Sequence, residues 1–195
     1  MKNRFLKFIL FALLCSLVAI PFFWPHLQRL YYRLDFETEI TAQAVEHHLD
    51  PHLVAALIFT ESRFRTDARS EAGARGLMQL MPETAAELAR EEGLASFDIA
   101  HLDQGKLNIQ LGTLYLAKLF ERFKSEETAL AAYNAGPTQV QHWIERGQAI
   151  GFPETRAYVD NILRTRKVLK TLYPSWSQPG ESRGSRETRR VSPTP

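Results

Sequence analysis

Proline stands at the head of one segment after another in this chain, and that punctuation restricts it to helices. Pro51, Pro82, Pro137 and Pro153 each open a helical segment, a position where the missing N–H costs nothing because that donor would have no partner in the first turn anyway. Period-two alternation is absent over any useful length, so no strand is expected. The fold class is therefore all-α, with a further apolar helix at the amino terminus. A first helix of the body is expected from about Thr38 to His48, with Ile40, Ala44, Val45 and Leu49 inward. Pro82 starts a segment ending near Gly93; Leu107 to Phe123 carries Leu111, Leu114, Tyr115 and Leu119 on its apolar face; two helices flank Tyr133-Asn134. Pro153 to Tyr173 closes the body with Val159, Ile162, Leu163, Leu169 and Leu172 inward.

The segment begun by Asp50-Pro51 carries the most informative side chain. Asp50 can cap free N–H groups, and the helix should run to about Ser62. Leu53, Val54, Leu57 and Ile58 fall on one face, and Glu61 is the next member of that stripe. Two readings stand at this point. Either the helix is ending and Glu61 turns to solvent, as most glutamates do, or the carboxyl is buried. Desolvation then raises its pKa and makes it a proton donor near neutral pH, as departing sugar oxygens require.

Three blocks follow at intervals. Gly73-Ala74-Arg75-Gly76-Leu77-Met78-Gln79 is a glycine-punctuated turn leading into Leu80-Met81-Pro82 and the helix of Glu83-Thr84-Ala85-Ala86. Ala129 to Pro137 ends one helix with Asn134 and Gly136 and begins another. Pro153-Glu154-Thr155-Arg156-Ala157-Tyr158-Val159 opens the last helix. With Glu61-Ser62 these four ordered blocks, spanning roughly Ile40 to Tyr173, resemble the catalytic domain of the soluble lytic transglycosylases, a branch of the lysozyme-like superfamily.

The resemblance implies non-hydrolytic cleavage of the β-1,4 bond between N-acetylmuramic acid and N-acetylglucosamine in peptidoglycan. Glu61 would first protonate the glycosidic oxygen and then take a proton from the muramoyl 6-hydroxyl as it closes a 1,6-anhydro ring. A single carboxyl suffices, because the substrate supplies the nucleophile. Glu154 is the one other carboxylate inside the blocks, whereas inverting and retaining hydrolases need a matched pair. By the same resemblance Ser62 contacts the substrate or the acid, and the Tyr133 hydroxyl reaches and orients Glu61. The Gln79 amide suits an N-acetyl group or a hydroxyl, and Met78 offers an apolar surface to a pyranose. Asn134 projects into the cleft, and Glu154 and Tyr158, one turn apart, line it. Read from their residue types alone, Ser62 is a local backbone bond, Met78 is core, and Tyr133-Asn134 is packing plus a helix cap. One departure is visible: Arg65-Thr66 stands where family members often carry Asn-Pro, which bears on loop shape rather than on chemistry.

Composition fits one modest domain. Roughly 140 residues lie between an apolar start and a polar end, enough for a single core. A formal net charge of +2 with no basic stripe gives no reason to expect nucleic-acid binding. No zinc-type Cys/His spacing and no phosphate-binding glycine loop is present, so no cofactor or metal is expected, and His47-His48 reads as a solvated helix end.

Residues 1–25 are expected to be a membrane anchor. Lys2, Arg4 and Lys7 precede an apolar run from Phe8 to Trp24, long enough to cross most of a bilayer. A small-x-small cleavage site is missing, and the segment ends in Pro21-Phe22-Phe23-Trp24-Pro25, aromatic residues suited to a membrane interface. Cys15 follows Leu14, too large for the usual lipoprotein pattern, and reads as a small apolar residue. The positive flank places the amino terminus inside and the catalytic domain on the periplasmic side of the inner membrane. Residues 26–37 are then a linker, 38–173 the catalytic domain, and 174–195 a disordered tail whose Arg183, Arg186, Arg189 and Arg190 could weakly attract anionic polymer.

Two other functions share these features. A lysozyme-type hydrolase on the same scaffold would need a water activated by another group, for which Asp67 and Glu154 are the candidates. A non-catalytic glycan-binding component of an envelope-spanning machine would have no use for an acid at Glu61.

Overall fold

The computed structural model describes residues 2–176. Among them the chain forms α1 (Lys2–Tyr31), α2 (Glu37–Glu46), α3 (Pro51–Ser62) and α4 (Pro82–Glu91). A short 3-10 turn at Ile99–Asp103 is followed by α5 (Gly105–Phe123), α6 (Glu126–Ala135), α7 (Pro137–Glu145) and α8 (Pro153–Leu172). Among the described residues the extended pairings outside helices are two isolated bridges, Arg69 with Arg75 and Arg75 with Leu80. The fold is mainly helical.

The organising element is α3. Its start follows from local chemistry: Asp50 accepts from the His52 amide at 3.0 Å, and Pro51 occupies the first turn. The one-sided stripe expected there is replaced by burial on every side, since every residue from His52 to Phe59 is buried. A helix apolar all round has to sit at the centre of the core, and each of Leu57 and Ile58, fully buried, adds about 2 kcal/mol of transfer free energy. α8 packs along α3, α6 lies against α5, α7 and α8, and α5 touches α2 and α4. A second, smaller apolar cluster joins Leu80, Ala85, Leu88, Ala89, Leu102 and Leu111. Tyr115 and Tyr133, with ring centroids 5.3 Å apart, border both clusters.

α3 and α8 run antiparallel, and their pairing fixes both ends of the site helix. His52 at the start of α3 lies 3.1 Å from the Tyr173 carbonyl, while Glu61 at its end meets Tyr158 near the start of α8. Ion pairing of Lys170 with Asp50 at 2.7 Å joins the same two elements. Order continues past the expected boundary at 173, because Trp176 sets its ring edge-on to His52 with centroids 4.9 Å apart. The tail from residue 177 onward lies outside the described residues.

The amino-terminal end departs from expectation twice. Among the described residues no helix is long and apolar enough to cross a membrane, so the expected transmembrane helix is not shown. α1 carries Pro21 and Pro25 in its interior and turns polar at His26, Gln28 and Arg29. The expected linker 26–37 is also helical as far as Tyr31, because that end of α1 is docked. Arg29 donates to the Leu172 carbonyl at 3.1 Å, Tyr31 meets Phe59 edge-on and Tyr32 packs tilted against it, and the Arg63 guanidinium lies 5.0 Å from both the Tyr31 and Phe59 rings.

Candidate active site

Glu61 occupies the last turn of α3, and Arg63 and Phe64 then turn the chain away with φ of 51° and 62°. The carboxyl is partly buried. Burial pushes its pKa up from 4.5 to about 7, against the opposing effect of a hydrogen bond from Tyr158. That bond runs from the Tyr158 hydroxyl to Oε1 of Glu61 at 2.5 Å. Burial, followed by the charge of Glu61, pushes the phenols of both Tyr158 and Tyr133 well above their ordinary range. Both therefore remain neutral at physiological pH, with Tyr158 acting as donor to the carboxyl.

The Tyr133 hydroxyl, expected on Glu61, donates instead to the Met78 carbonyl at 2.8 Å. The reason lies in the loop beside the acid, which has backbone groups to satisfy and no regular structure of its own. The Ser62 hydroxyl donates to the Leu77 carbonyl at 2.8 Å and lies 3.2 Å from the Ile58 carbonyl, so its proton is engaged by the backbone. Gln79, at φ 46°, turns its amide nitrogen to the Gly76 and Ala68 carbonyls at 2.8 and 3.1 Å. Met78 is fully buried, with its side chain held in the space that Gly112 leaves: a Cβ at Gly112 would lie 2.4 Å from the Met78 sulfur. In this structure Ser62, Met78, Gln79 and Tyr133 therefore hold the loop in shape, and of these only Gln79 retains an amide oxygen that could meet a sugar.

A fifth member of that scaffold went unseen in the sequence. Asn108 of α5 is fully buried; it accepts from the Met78 amide at 2.7 Å and donates to the Arg75 and Leu102 carbonyls at 3.0 and 2.9 Å. Its signal is faint but present. Asn108, Leu111, Gly112 and Tyr115 share one helical face, and an asparagine next to a glycine on an otherwise apolar face marks a close backbone approach.

The other expected residues gather at an open cleft of about 650 Å³ lined by Asn134, Phe152, Glu154, Thr155, Ala157, Tyr158, Asn161 and Arg164, among others. Tyr158 is its wall toward Glu61. Asn134 accepts from Thr155 at 2.8 Å, which ties the end of α6 to the start of α8, while Glu154 is exposed. Asp67 is exposed as well, and neither carboxylate is among the groups that act on Glu61. Among the described residues no group of three or more His, Cys, Asp or Glu side chains is placed to hold a metal ion.

A helical body built around one buried helix, with a desolvated acid at the end of that helix beside an open cleft, is a lysozyme-like architecture. The family described as Transglycosylase SLT domain matches residues 39–153, and the chain belongs to that family. It is 30% identical over 152 residues to the soluble lytic murein transglycosylase of Salmonella typhimurium, covering 72% of this chain and 23% of that protein. It is 36% identical over 137 residues to the membrane-bound lytic murein transglycosylase F of Desulfosudis oleivorans, covering 66% of this chain and 28% of that one. The crystal structure of the 70 kDa soluble lytic transglycosylase from Escherichia coli superposes with a TM-score of 0.69 at 26% identity, over 74% of this chain and 25% of that chain. The chain thus spans about a quarter of the length of these relatives.

Proposed function

We propose that this domain is a peptidoglycan lytic transglycosylase that cleaves the N-acetylmuramic acid to N-acetylglucosamine β-1,4 bond and leaves a 1,6-anhydromuramoyl end. The observation that carries the reading is Glu61: a carboxyl raised to about 7 by burial and bonded by one neutral phenol. Such a group is protonated often enough near neutral pH to donate to the departing glycosidic oxygen, and basic enough afterwards to remove a proton. The muramoyl 6-hydroxyl loses that proton as its oxygen bonds to C1, and the carboxyl is restored to its starting state. Each step uses the same group, which is why one carboxyl is enough. Hydrolysis would need a second group to activate water, and the candidates Asp67 and Glu154 both stand exposed.

Location follows the same reading. We infer attachment to the inner membrane through the amino-terminal helix, with the catalytic domain on the periplasmic side, where the glycan lies. Phe11, Leu17, Ile20, Phe22, Phe23, Trp24, Leu27 and Leu30 are all exposed on α1, and a run of apolar side chains of that size needs cover. Membrane fractionation of the full chain, with carbonate and salt washes, tests the attachment.

Digestion of purified sacculi followed by mass spectrometry of the soluble muropeptides tests the chemistry. The expected product is one water lighter than that of a hydrolase. Full-mass reducing ends would assign the domain to the hydrolases, and no release at all from a folded protein would leave it a glycan binder.

A further inference from the structure

The end of α1 that docks on the body presents an apolar stripe and a polar corner side by side. Phe23, Leu27 and Leu30, spaced four and three residues apart, are all exposed. Gln28 follows Leu27, about 100° further round the helix, and with Lys167, Val168 and Thr171 of α8 it lines an open pocket of about 200 Å³. The two helices are tied together at this point: Arg29 donates to the Leu172 carbonyl at 3.1 Å, and the Tyr173 hydroxyl donates to the Tyr32 carbonyl at 3.1 Å.

Charge on the α8 side of the pocket is left uncompensated. The second half of α8 carries four cations, of which Arg166 pairs with Glu126 at 2.5 Å and Lys170 with Asp50 at 2.7 Å. Lys167 and Arg164, three residues apart on one face, are exposed and have no ion-pair partner among the described residues. The acid on the same stripe, Asp160, stands about 10 Å from Lys167 along the helix axis at 1.5 Å per residue, too far to neutralise it.

An unpaired ammonium beside exposed apolar side chains specifies an amphiphilic anion. A soluble anion has no use for Phe23, Leu27 and Leu30, and an uncharged lipid has none for Lys167. The phosphate of a lipid headgroup satisfies both: the Lys167 ammonium acts on it as a point charge, the Gln28 amide adds N–H donors, and the acyl chains lie along the stripe. Depth agrees, because Gln28 comes one turn after Trp24, an aromatic residue of the kind that sits at headgroup level.

We propose that the pocket between α1 and α8 binds the phosphate of an anionic phospholipid, with Lys167 as its principal charge, Gln28 as a donor and Arg164 reinforcing the field. The site presupposes the membrane attachment inferred above and adds what fixes the posture of the body on that membrane. A headgroup held there bridges α1 and α8, and since α8 also carries Tyr158, it sets the direction in which the cleft faces.

Lipid retention by the detergent-solubilised full chain tests this, read by native mass spectrometry with phosphatidylglycerol and phosphatidylcholine in competition. A basic side chain near an anionic headgroup is worth about fivefold in affinity. The unaltered chain is expected to prefer phosphatidylglycerol by about that factor or more, Lys167→Gln to lose about fivefold of the preference, and Lys167→Arg to keep it. High salt should erase it. Retention of phosphatidylcholine, which depends on the apolar stripe, should be the same in all three proteins. Equal retention of both lipids by the unaltered chain, or a preference unchanged in Lys167→Gln, overturns the proposal and leaves the attachment standing; retention of neither lipid overturns both. Displacement of phosphatidylglycerol by soluble glycerol phosphate would show that the pocket reads a free anion and not a lipid. A Lys167→Gln protein that keeps its lipid preference but loses affinity for purified sacculi would give the lysine to the wall polymer instead.

Discussion

Tyr158 donates its hydroxyl proton to Oε1 of Glu61 at 2.5 Å across 97 positions of sequence. That contact occupies one carboxyl oxygen as an acceptor, so the proton of the acid form belongs on Oε2, which is the oxygen left to face a glycosidic bond. The proposed reaction starts from the protonated acid, so kcat/KM for strand cleavage is expected to fall tenfold per pH unit above about pH 7, the value to which burial raises Glu61. A rate profile on soluble strands from pH 5 to 9 checks this. A basic limb in the ordinary carboxylate range would show that Glu61 is hydrated in solution.

Tyr158→Phe and Tyr133→Phe should part company. Removing a hydrogen bond to a group charged for part of the cycle costs about 1.5–3 kcal/mol, so Tyr158→Phe should lose roughly ten- to hundredfold in kcat. The bond favours the carboxylate, so its loss should also move the basic limb upward. Tyr133 bonds a neutral carbonyl, and Tyr133→Phe should instead cost about 1 kcal/mol of stability with its pH limb unmoved. Rate profiles and urea titrations of the two variants separate the cases; a shifted limb in Tyr133→Phe alone would reverse the two roles.

What the sequence showed and what it hid divide along contact range. The cap of Asp50, the prolines that open α3, α4, α7 and α8, and the break at Gly136 were legible because each acts within a turn of itself. Helical spacing also placed Glu61 at the end of its helix. Which tyrosine reaches the acid was not legible, since Tyr133 and Tyr158 are both phenols near helix junctions and only the antiparallel packing of α3 on α8 chooses between them. The backbone partners of Ser62 and Gln79 were hidden for a related reason: polar groups inside a buried loop are claimed by the backbone first. The helical state of 26–31 depends on Arg29 finding Leu172 across 143 positions, which no local pattern encodes.

Glu61 should weaken the fold it serves. Its folded pKa of about 7 lies above its ordinary 4.5, so between these values the native state binds more protons than the unfolded one and stability falls as pH rises. The penalty is complete above about pH 7 and absent below about pH 4.5, and the difference corresponds to roughly 2–4 kcal/mol. Glu61→Gln, expected to be inactive because it cannot transfer the proton, is therefore also expected to be more stable than the unaltered protein at pH 8 and no different from it near pH 4. Chemical denaturation at both pH values gives the comparison, and equal stability at pH 8 would refute it.

The loop beside the acid depends on one amide, and this dependence can be measured as coupling. Asn108 satisfies the Met78 amide and the Arg75 and Leu102 carbonyls. Asn108→Leu keeps the volume and leaves those buried groups without partners, which should cost about 3 kcal/mol or more. Gly76, at φ 79°, has no room for a side chain: a Cβ there would lie 2.1 Å from the Asn108 amide nitrogen and 2.3 Å from the Leu102 carbonyl oxygen. Gly76→Ala therefore meets both an unfavourable backbone conformation and the same amide. Since each substitution destroys the contact that the other would disturb, the double variant should be less destabilised than the sum of the singles, by on the order of 1 kcal/mol. Denaturant midpoints for the two single variants and the double complete the cycle. Strict additivity would mean that the loop accommodates the methyl group by moving away from Asn108, and that its position beside Glu61 is set by Ser62 and Tyr133 instead.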